Sequence, residues 1–161
     1  MFGFLTFGTT LTVLDLACKA KIESQDKTTF PRDMKGSKGI IKLYQNHNPG
    51  FSFGVLTGSR AVKLVPLCIT SALAGAWAYL MGVRGKVAEK MALTLVLAGG
   101  MSNLIDRIKR GYVVDFFSIQ WKALKKVVFN IGDICIFLGC GILLLTQVVD
   151  AVKDTIAERK K

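Results

Sequence analysis

The sequence of 161 residues contains a single histidine, His47. Zinc peptidases of the His-Glu-x-x-His type bind their metal through two histidines of one helix, so this class is excluded. The glycine-rich loop that binds nucleotide phosphates is absent. The letters of the serine-hydrolase motif Gly-x-Ser-x-Gly occur once, at residues 50–54, but they follow Pro49 in a turn instead of joining a strand to a helix. Catalysis through either of these is not expected.

Cysteine is also scarce, and its four copies lie inside apolar stretches with no zinc-binding spacing. Their position in such stretches argues against disulfide bonds, so we interpret them as small hydrophobic residues. We predict that the protein uses neither a metal nor any other cofactor. The four are Cys18, Cys68, Cys135 and Cys140.

Acidic residues are few, 11 against 22 lysines and arginines, which gives a net charge of +11. Hydrophobic residues make up 51% of the chain, and the mean hydropathy is +0.41. This is too apolar for a soluble domain of this size. Four long apolar runs predict a single-domain, all-α polytopic membrane protein, with a buried soluble helical bundle as the alternative. The predicted spans lie at about residues 1–20, 62–81, 87–106 and 133–151.

The first apolar run lacks the basic start of a signal peptide, because its first cation is Lys19. No cleavage pattern of small residues follows it, so we expect it to be retained as a membrane helix. Asp15 and Lys19 are four residues apart near its end, with the acidic residue first. This spacing favours a structural ion pair on one helix face.

Residues 24–58 form the longest polar segment. Proline and glycine in its first half exclude a helix, and apolar residues alternate with polar ones in its second half. Asn-Pro-Gly at 48–50 is typical of a turn. We predict a small β-sheet on the membrane surface between the first and second spans, and we interpret His47 as a solvated turn residue.

Three aspartates lie at the edges of apolar runs: Asp106, Asp115 and Asp133. Removing an ionised carboxylate from water is costly, so such residues are usually paired or functional. Asn103, Asp106 and Arg107 share one helical face. This favours either a site for lipid headgroups and backbone amides or a cluster that only caps the helix end.

Asp115 and Asp133 flank a basic loop whose two ends must return to the same membrane face. Two carboxylates within a few ångströms of each other do not both ionise readily, so they share one proton. One of them can take a proton from water while the other gives a proton to a carbonyl oxygen. The two residues therefore indicate aspartic-peptidase chemistry.

Five segments of the chain, in one order, carry a resemblance to a known family. Together they resemble the type II signal peptidases, the lipoprotein signal peptidases of bacteria. Four of the family's patterns are kept with at most one small-for-small replacement, at Ser52, Ser102 or Gly132, whereas the first pattern loses its glutamine at Leu16. The segments are Asp15–Lys19 (Asp-Gln-x-x-Lys), Asn48–Gly54 (Asn-x-Gly-x-Ala-Phe-Gly), Gly99–Arg107 (Gly-Gly-x-Gly-Asn-x-x-Asp-Arg), Val113–Phe116 (Val-Val-Asp-Phe) and Phe129–Asp133 (Phe-Asn-x-Ala-Asp).

The resemblance implies an intramembrane aspartic endopeptidase with four transmembrane helices and a small extracytoplasmic β-cradle between the first and second. It implies that Asp115 and Asp133 are the catalytic pair. The enzyme would remove the signal peptide of a prolipoprotein by cutting before the diacylglyceryl-modified cysteine. It further implies a set of residues that bind the substrate and its lipid: Asn48, Gly50, Asn103, Asp106, Arg107 and Asn130.

The resemblance also implies a multi-pass protein of the bacterial cytoplasmic (inner) membrane, with both termini in the cytoplasm and the active site at the outer face. Its expected partners are diacylglyceryl prolipoproteins and membrane phospholipid, with no nucleic acid, and it is expected to be a monomer. The cations disagree with this orientation, since 7 of the 22 would lie inside and 15 outside. We expect the outer cations to form a lipid-binding surface.

Two other classes stay open. An intramembrane aspartyl protease that resembles presenilin should contain Gly-x-Gly-Asp, but the chain has Asn-Ile-Gly-Asp at 130–133. A channel or transporter would use carboxylates at membrane depth for ions or protons. That function favours carboxylates within the spans rather than at one face.

Overall fold

The computed structural model describes residues 2–50 and 58–159, and four α-helices lie within them. The helices are α1 (Phe2–Glu23), α2 (Ala61–Gly82), α3 (Val87–Lys109) and α4 (Ile131–Glu158). Within the described residues, α2, α3 and α4 are long and apolar enough to cross a membrane. α1 is as long as α2, with 22 residues each, but α1 carries the charges of Asp15 and Lys19.

α3 is the central helix, because it packs against each of the other three. Most of its apolar stretch is buried inside the protein, whereas α2 and α4 leave most of theirs exposed. In a membrane protein, exposed apolar helix faces of this kind are the ones that lipid chains contact. Five buried polar residues belong to α3 itself: Thr94, Ser102, Asn103, Asp106 and Arg107.

α3 and α4 approach each other closely at glycine. A Cβ atom on Gly99 would overlap the carbonyl oxygen of Gly132. Backbones meet in this way only where no side chain intervenes. The two adjacent glycines of α3 differ in this respect. A Cβ atom on Gly100 would lie 3.4 Å from the hydroxyl of Thr70, which is ordinary contact with α2.

A three-stranded antiparallel sheet lies where α1 and α3 end and α4 begins. In spatial order its strands are β1 (Arg32–Asp33), β2 (Ile41–Asn48) and β3 (Val113–Ile119). Asn46 of β2 lies opposite Asp115 of β3, and the register is irregular between Leu43 and Asn46. The pairing places Asp115 beside the asparagines of β2.

The sheet differs from the prediction in its third strand. β1 and β2 lie in the segment predicted to form the sheet, but β3 comes from the segment between α3 and α4, where the sequence indicates a basic loop. β3 is buried along most of its length, so its apolar residues do not alternate with polar ones. Residues 51–57, which belong to the predicted sheet segment and in part to the motif at 48–54, lie outside the described residues.

His47 is exposed, as predicted, but its assignment to a turn is wrong. His47 lies in β2, and its Nε2 is 2.8 Å from a carboxylate oxygen of Glu23. Its ring stacks on that of Tyr112, with the centroids 4.1 Å apart. The end of α1 lies against the sheet, so Glu23 can contact His47. The sequence alone does not reveal this contact, because it shows His47 only as a neighbour of the Asn-Pro-Gly turn.

Candidate active site

The predicted ion pair between Asp15 and Lys19 is present and buried. Nζ of Lys19 lies 2.7 Å from Oδ2 of Asp15 and 3.5 Å from Oδ2 of Asp106, and the Lys19 side chain is 0% exposed. One ammonium between two carboxylates avoids the large cost of an unpaired buried charge. These contacts tie α1 to α3.

Neutral groups complete this cluster. The hydroxyl of Ser102 donates to Asp15 at 2.6 Å and accepts from Lys19 at 3.2 Å. Oδ1 of Asn103 accepts from Lys19 at 2.7 Å. The second oxygen of Asp15 accepts the backbone N–H of Ile131 at 2.9 Å, so the cluster also reaches the first residue of α4.

Asp106 is held by protein groups on both oxygens. Oδ2 accepts the backbone N–H of Val114 at 3.1 Å, and Oδ1 lies 3.1 Å from the guanidinium of Arg110. The side chain is buried, and it anchors the end of α3 to the start of β3. The structure therefore gives Asp106 partners within the protein, whereas the sequence predicts a role in binding substrate or lipid.

Asp115 and Asp133 lie on the wall of one cavity of about 640 Å³. Asp115 belongs to β3, and Asp133 is the third residue of α4. The chain between them turns back, so that Phe129 hydrogen-bonds through its backbone to Phe116 and Phe117 of β3. This return brings the start of α4 beside the strand that carries Asp115.

Asn130 contacts both aspartates. Its side-chain amide donates to Oδ1 of Asp115 at 2.8 Å, and its backbone N–H donates to Oδ2 of Asp133 at 3.1 Å. Its side-chain oxygen accepts the backbone N–H of Asp133 at 2.9 Å, which completes a capping box at the start of α4. Asn130 is 0% exposed, so it is a fixed link between the two carboxylates.

Each aspartate also accepts from a second asparagine. Asn48 donates to Oδ2 of Asp115 at 3.3 Å, and Asn103 donates to Oδ1 of Asp133 at 3.0 Å. Burial, together with the charge of Asp133, raises the pKa of Asp115 to about 6, against the opposite effect of its hydrogen bonds to Asn130 and Asn48. A carboxyl group with a pKa near neutrality can both give and take a proton.

Arg107 connects α3 to the turn that follows β2. Nη1 donates to the carbonyl oxygen of Asn103, and Nη2 donates to that of Gly50, both at 3.2 Å. The side chain lines the cavity, and its charge acts on both Asp115 and Asp133. Arg107 thus places a cation beside the two carboxylates.

The predicted site residues divide into two groups. Five line the cavity: Asn48, Asn103, Arg107, Asp115 and Asp133. Among the described residues the other five do not line it and instead contact the first group or one another: Asp15, Lys19, Gly50, Asp106 and Asn130.

The cavity wall also contains residues that the sequence analysis misses. Asn46 lies two residues before Asn48 in the same strand, so the alternation of side chains along a strand could have identified it. Phe137 lines the apolar side of the cavity and is 62% exposed, but no sequence motif marks it. Ser102 is visible in the sequence only as a departure from the family pattern, although its hydroxyl is part of the buried cluster.

The groups around Asp115 and Asp133 are asparagine amides, a guanidinium and a backbone N–H. Across residues 2–50 and 58–159, no three histidine, cysteine, aspartate or glutamate side chains are arranged to hold a metal ion.

A family model described as signal peptidase (SPase) II matches residues 8–149, a range that includes every predicted site residue. The chain is similar to the lipoprotein signal peptidase of Syntrophotalea carbinolica, with 36% identity over 117 residues, which cover 71% of this chain and 72% of the relative. It is also similar to the lipoprotein signal peptidase of Symbiobacterium thermophilum, with 36% identity over 118 residues, which cover 73% of this chain and 76% of the relative. The lipoprotein signal peptidase of Clostridium acetobutylicum is 34% identical over 138 residues, which cover 83% of this chain and 88% of the relative.

Two solved structures, each described as a bacterial membrane enzyme studied by the in meso method, share the fold. One, at 2.3 Å resolution, has a TM-score of 0.79 and 21% identity, and the match covers 94% of this chain and 90% of the other. The second, at 1.9 Å, has a TM-score of 0.75 and 21% identity, with coverage of 91% and 93%. The family match covers most of the chain and the relatives agree with it: the chain belongs to the signal peptidase II family.

Proposed function

We propose that this chain is an intramembrane aspartic endopeptidase that removes the signal peptide from a diacylglyceryl-modified prolipoprotein. The cut falls immediately before the lipidated cysteine, and Asp115 and Asp133 activate the water molecule. Family membership supports the removal of signal peptides from prolipoproteins. The observation that carries the aspartic mechanism is Asn130, which donates to both carboxylates from one buried position.

The two carboxylates hold one proton between them, because a second negative charge beside the first is unfavourable when both are buried. The ionised member takes a proton from water, and the water oxygen forms a bond to the carbonyl carbon of the peptide. The protonated member gives its proton to the carbonyl oxygen, which produces a gem-diol.

Collapse of the gem-diol breaks the carbon–nitrogen bond. The nitrogen receives the proton that was taken from water, and a hydroxyl of the diol returns a proton to the carboxylate that had given one. The pair ends in its starting state, and the atoms of the water molecule are divided between the two products.

The cavity suits a peptide that carries a lipid. Asn48 and Arg107 line its polar side, where both can donate hydrogen bonds to peptide carbonyl oxygens. Val127, Phe129 and Phe137 line its apolar side. Phe137 is exposed on α4, so the apolar side continues onto a helix face that is suited to contact with acyl chains.

We place α1 as the fourth membrane span, because the charges it carries before Lys21 form one buried pair. In the proposed orientation both termini are cytoplasmic, and the cavity lies at the outer face of a bacterial cytoplasmic membrane. Trp121 is exposed, with Lys122 5.1 Å from its ring, which suits a headgroup layer that contains anionic phospholipid. The proposed enzyme is a monomer.

Neither of the two alternative functions has comparable support. The family match is to a signal peptidase, which favours neither a channel nor a transporter. The presenilin-like protease requires a sequence motif that the chain lacks.

The test uses purified protein in lipid and a synthetic diacylglyceryl lipopeptide, with the products identified by mass spectrometry. Asp115→Asn and Asp133→Asn should each lower turnover by about three orders of magnitude, because each removes a group that must exchange a proton. Asp154→Asn removes an exposed carboxylate of α4 and is the matched control, which should cleave normally.

Cleavage by Asp133→Asn at the rate of the control would contradict the aspartic mechanism. A cut at any bond other than the one before the lipidated cysteine would contradict the proposed substrate.

A further inference from the structure

Lys19 reaches the catalytic pair through one intermediary, Asn103. Nζ of Lys19 donates to Oδ1 of Asn103 at 2.7 Å, and Nδ2 of Asn103 donates to Oδ1 of Asp133 at 3.0 Å. An ammonium group can only donate, so the oxygen of the Asn103 amide must face Lys19. The amide nitrogen is therefore held toward Asp133.

We propose, on the basis of the peptidase function above, that Lys19 is a positioning residue that fixes Asp133 as the proton-accepting member of the pair. Asp115 is then the proton-donating member. The two carboxylates, interchangeable in the general mechanism, thus have separate roles.

The surroundings of Asp133 favour its ionised form on both oxygens. Oδ2 accepts the backbone N–H of Asn130 at 3.1 Å, and a backbone donor cannot rotate away. Oδ1 accepts from Asn103, which Lys19 keeps from turning over. Asp133 also lies in the first turn of α4, where the helix dipole favours a negative charge.

Asp115 is held less firmly. Oδ1 accepts from Asn130 at 2.8 Å, but the donor to Oδ2 is Asn48 at 3.3 Å, the longest of the four contacts made by the pair. Asp115 lies in a strand, so no helix dipole acts along it. Oδ2 of Asp115 is therefore the oxygen on which the shared proton rests.

The other charged groups that face the pair do not reverse this assignment. Asp15 contacts the ammonium of Lys19, and Asp106 lies between that ammonium and the guanidinium of Arg110, so two cations balance these two carboxylates. Arg107 projects from α3 and acts on Asp133 and, to a lesser degree, on Asp115, so it does not oppose the assignment. His47 of β2 and Lys126 line the same cavity.

The proton movements then have one direction. Asp133 takes a proton from water as the water oxygen bonds to the carbonyl carbon, and Oδ2 of Asp115 gives its proton to the carbonyl oxygen. When the carbon–nitrogen bond breaks, Asp133 delivers its proton to the nitrogen. Asp115 recovers a proton from a hydroxyl of the gem-diol.

The decisive comparison is between Lys19→Gln and Lys19→Met. Both remove the charge and are similar in length, but only glutamine can donate to Oδ1 of Asn103. If Lys19 only neutralised Asp15 and Asp106, the two variants would behave alike. The measurement is kcat/KM for a diacylglyceryl lipopeptide as a function of pH, together with thermal unfolding of each variant.

We expect Lys19→Gln to retain about tenfold more activity than Lys19→Met. Only the glutamine can hold the Asn103 amide so that it donates to the charged Asp133, and a hydrogen bond to a charged group has an effect of about this size. In Lys19→Met the acidic limb of the profile, which reports the residue that must be ionised, should lie at higher pH than in Lys19→Gln. Identical profiles for the two folded variants would overturn the positioning role.

A second pair of variants decides the question if the Lys19 variants do not fold. Asn103→Leu removes a donor from Asp133 and should move the acidic limb to higher pH. Asn48→Leu removes a donor from Asp115 and should move the alkaline limb to higher pH. Movement of the opposite limb in either variant would overturn the assignment of roles.

The outcomes for function and for roles are distinguishable. Failure of the unmodified protein to cleave the lipopeptide would reject the peptidase function itself. Normal cleavage, with limbs that do not respond separately to Asn103→Leu and Asn48→Leu, would reject only the division of roles.

Discussion

The carbonyl oxygen of Gly132 occupies the space in which a Cβ atom on Gly99 would lie. Gly132 directly precedes Asp133, and Asn103 lies one helical turn after Gly99. The contact between the two glycines therefore sets the separation at which Asn103 can donate to Asp133, 3.0 Å in the structure.

Gly99→Ala should consequently destabilise the protein by about 1–3 kcal/mol, the usual cost of inserting a methyl group into a packed interface. Cleavage should fall as well, because α4 must move away from Asn103. The control is Gly75→Ala in α2, where an added Cβ meets nothing within 4 Å and alanine favours the helix. Thermal unfolding of both variants in the same detergent tests this, and equal midpoints would contradict the packing described.

Substitutions of Asn130 should separate stability from activity. Asn130→Ala removes the cap of α4 and should cost about 1 kcal/mol of stability as well as most of the activity. Asn130→Ser keeps an oxygen that can cap the helix but is too short to replace the amide donor to Asp115. The serine variant should therefore unfold like the unmodified protein and still cleave poorly. Full activity in Asn130→Ser would show that this donor is dispensable.

The raised pKa of Asp115 makes stability dependent on pH. Folded Asp115 titrates at about 6 instead of 3.8, so between these values the folded state binds more protons than the unfolded chain. The free energy of unfolding should therefore fall by up to about 3 kcal/mol as the pH rises from about 4 to 6. Asp115→Asn should lack this contribution, so its stability relative to the unmodified protein should improve over the same range. Parallel unfolding curves at pH 4 to 8 would contradict the raised pKa.

Chelation should leave activity intact, because the proposed chemistry needs only two carboxylates and water. Cleavage of the lipopeptide is measured before and after dialysis against EDTA. Loss of activity that zinc restores would require a metal site and would contradict the proposed mechanism.

The orientation in the membrane can be read with single cysteines in a variant that lacks Cys18, Cys68, Cys135 and Cys140. Lys38→Cys, in the exposed turn before β2, should react with an impermeant thiol reagent on intact cells. Arg159→Cys should react only after permeabilisation. The reverse pattern would place the cavity on the cytoplasmic side, in agreement with the positive-inside rule.

The two catalytic candidates, Asp115 and Asp133, could be identified from the sequence because each is a carboxylate beside an apolar run. Burying a charge at such a place is costly, so a residue found there is expected to have a function. Asp15 and Lys19 could be identified as well, because both are charged residues in an apolar run and their spacing of four places them on one helix face. β3 could not be predicted from the sequence. A strand that is buried on both faces shows no alternation of apolar and polar residues, so its apolar stretch looks like any other buried segment.

The buried cluster shows a second limit. That Lys19, Ser102 and Asn103 meet follows from how α1 packs on α3, and no pattern within either helix encodes that packing. Likewise, the position of His47 depends on the end of α1, which lies against a strand some twenty residues later in the chain.

The uncharged stretch of α4 is close in length to the thickness of the hydrocarbon layer. After Asp133 the next charged residue of the helix is Asp150, 17 positions later, and at 1.5 Å per residue this corresponds to about 25 Å. The hydrocarbon layer of a membrane is about 30 Å thick, so with Asp150 at one boundary Asp133 lies roughly 5 Å below the other. Under the proposed function a scissile bond must descend to that depth, which is easier for a polypeptide that carries a membrane anchor. Under the same proposal, the length of α4 favours anchored substrates before any side chain recognises a sequence.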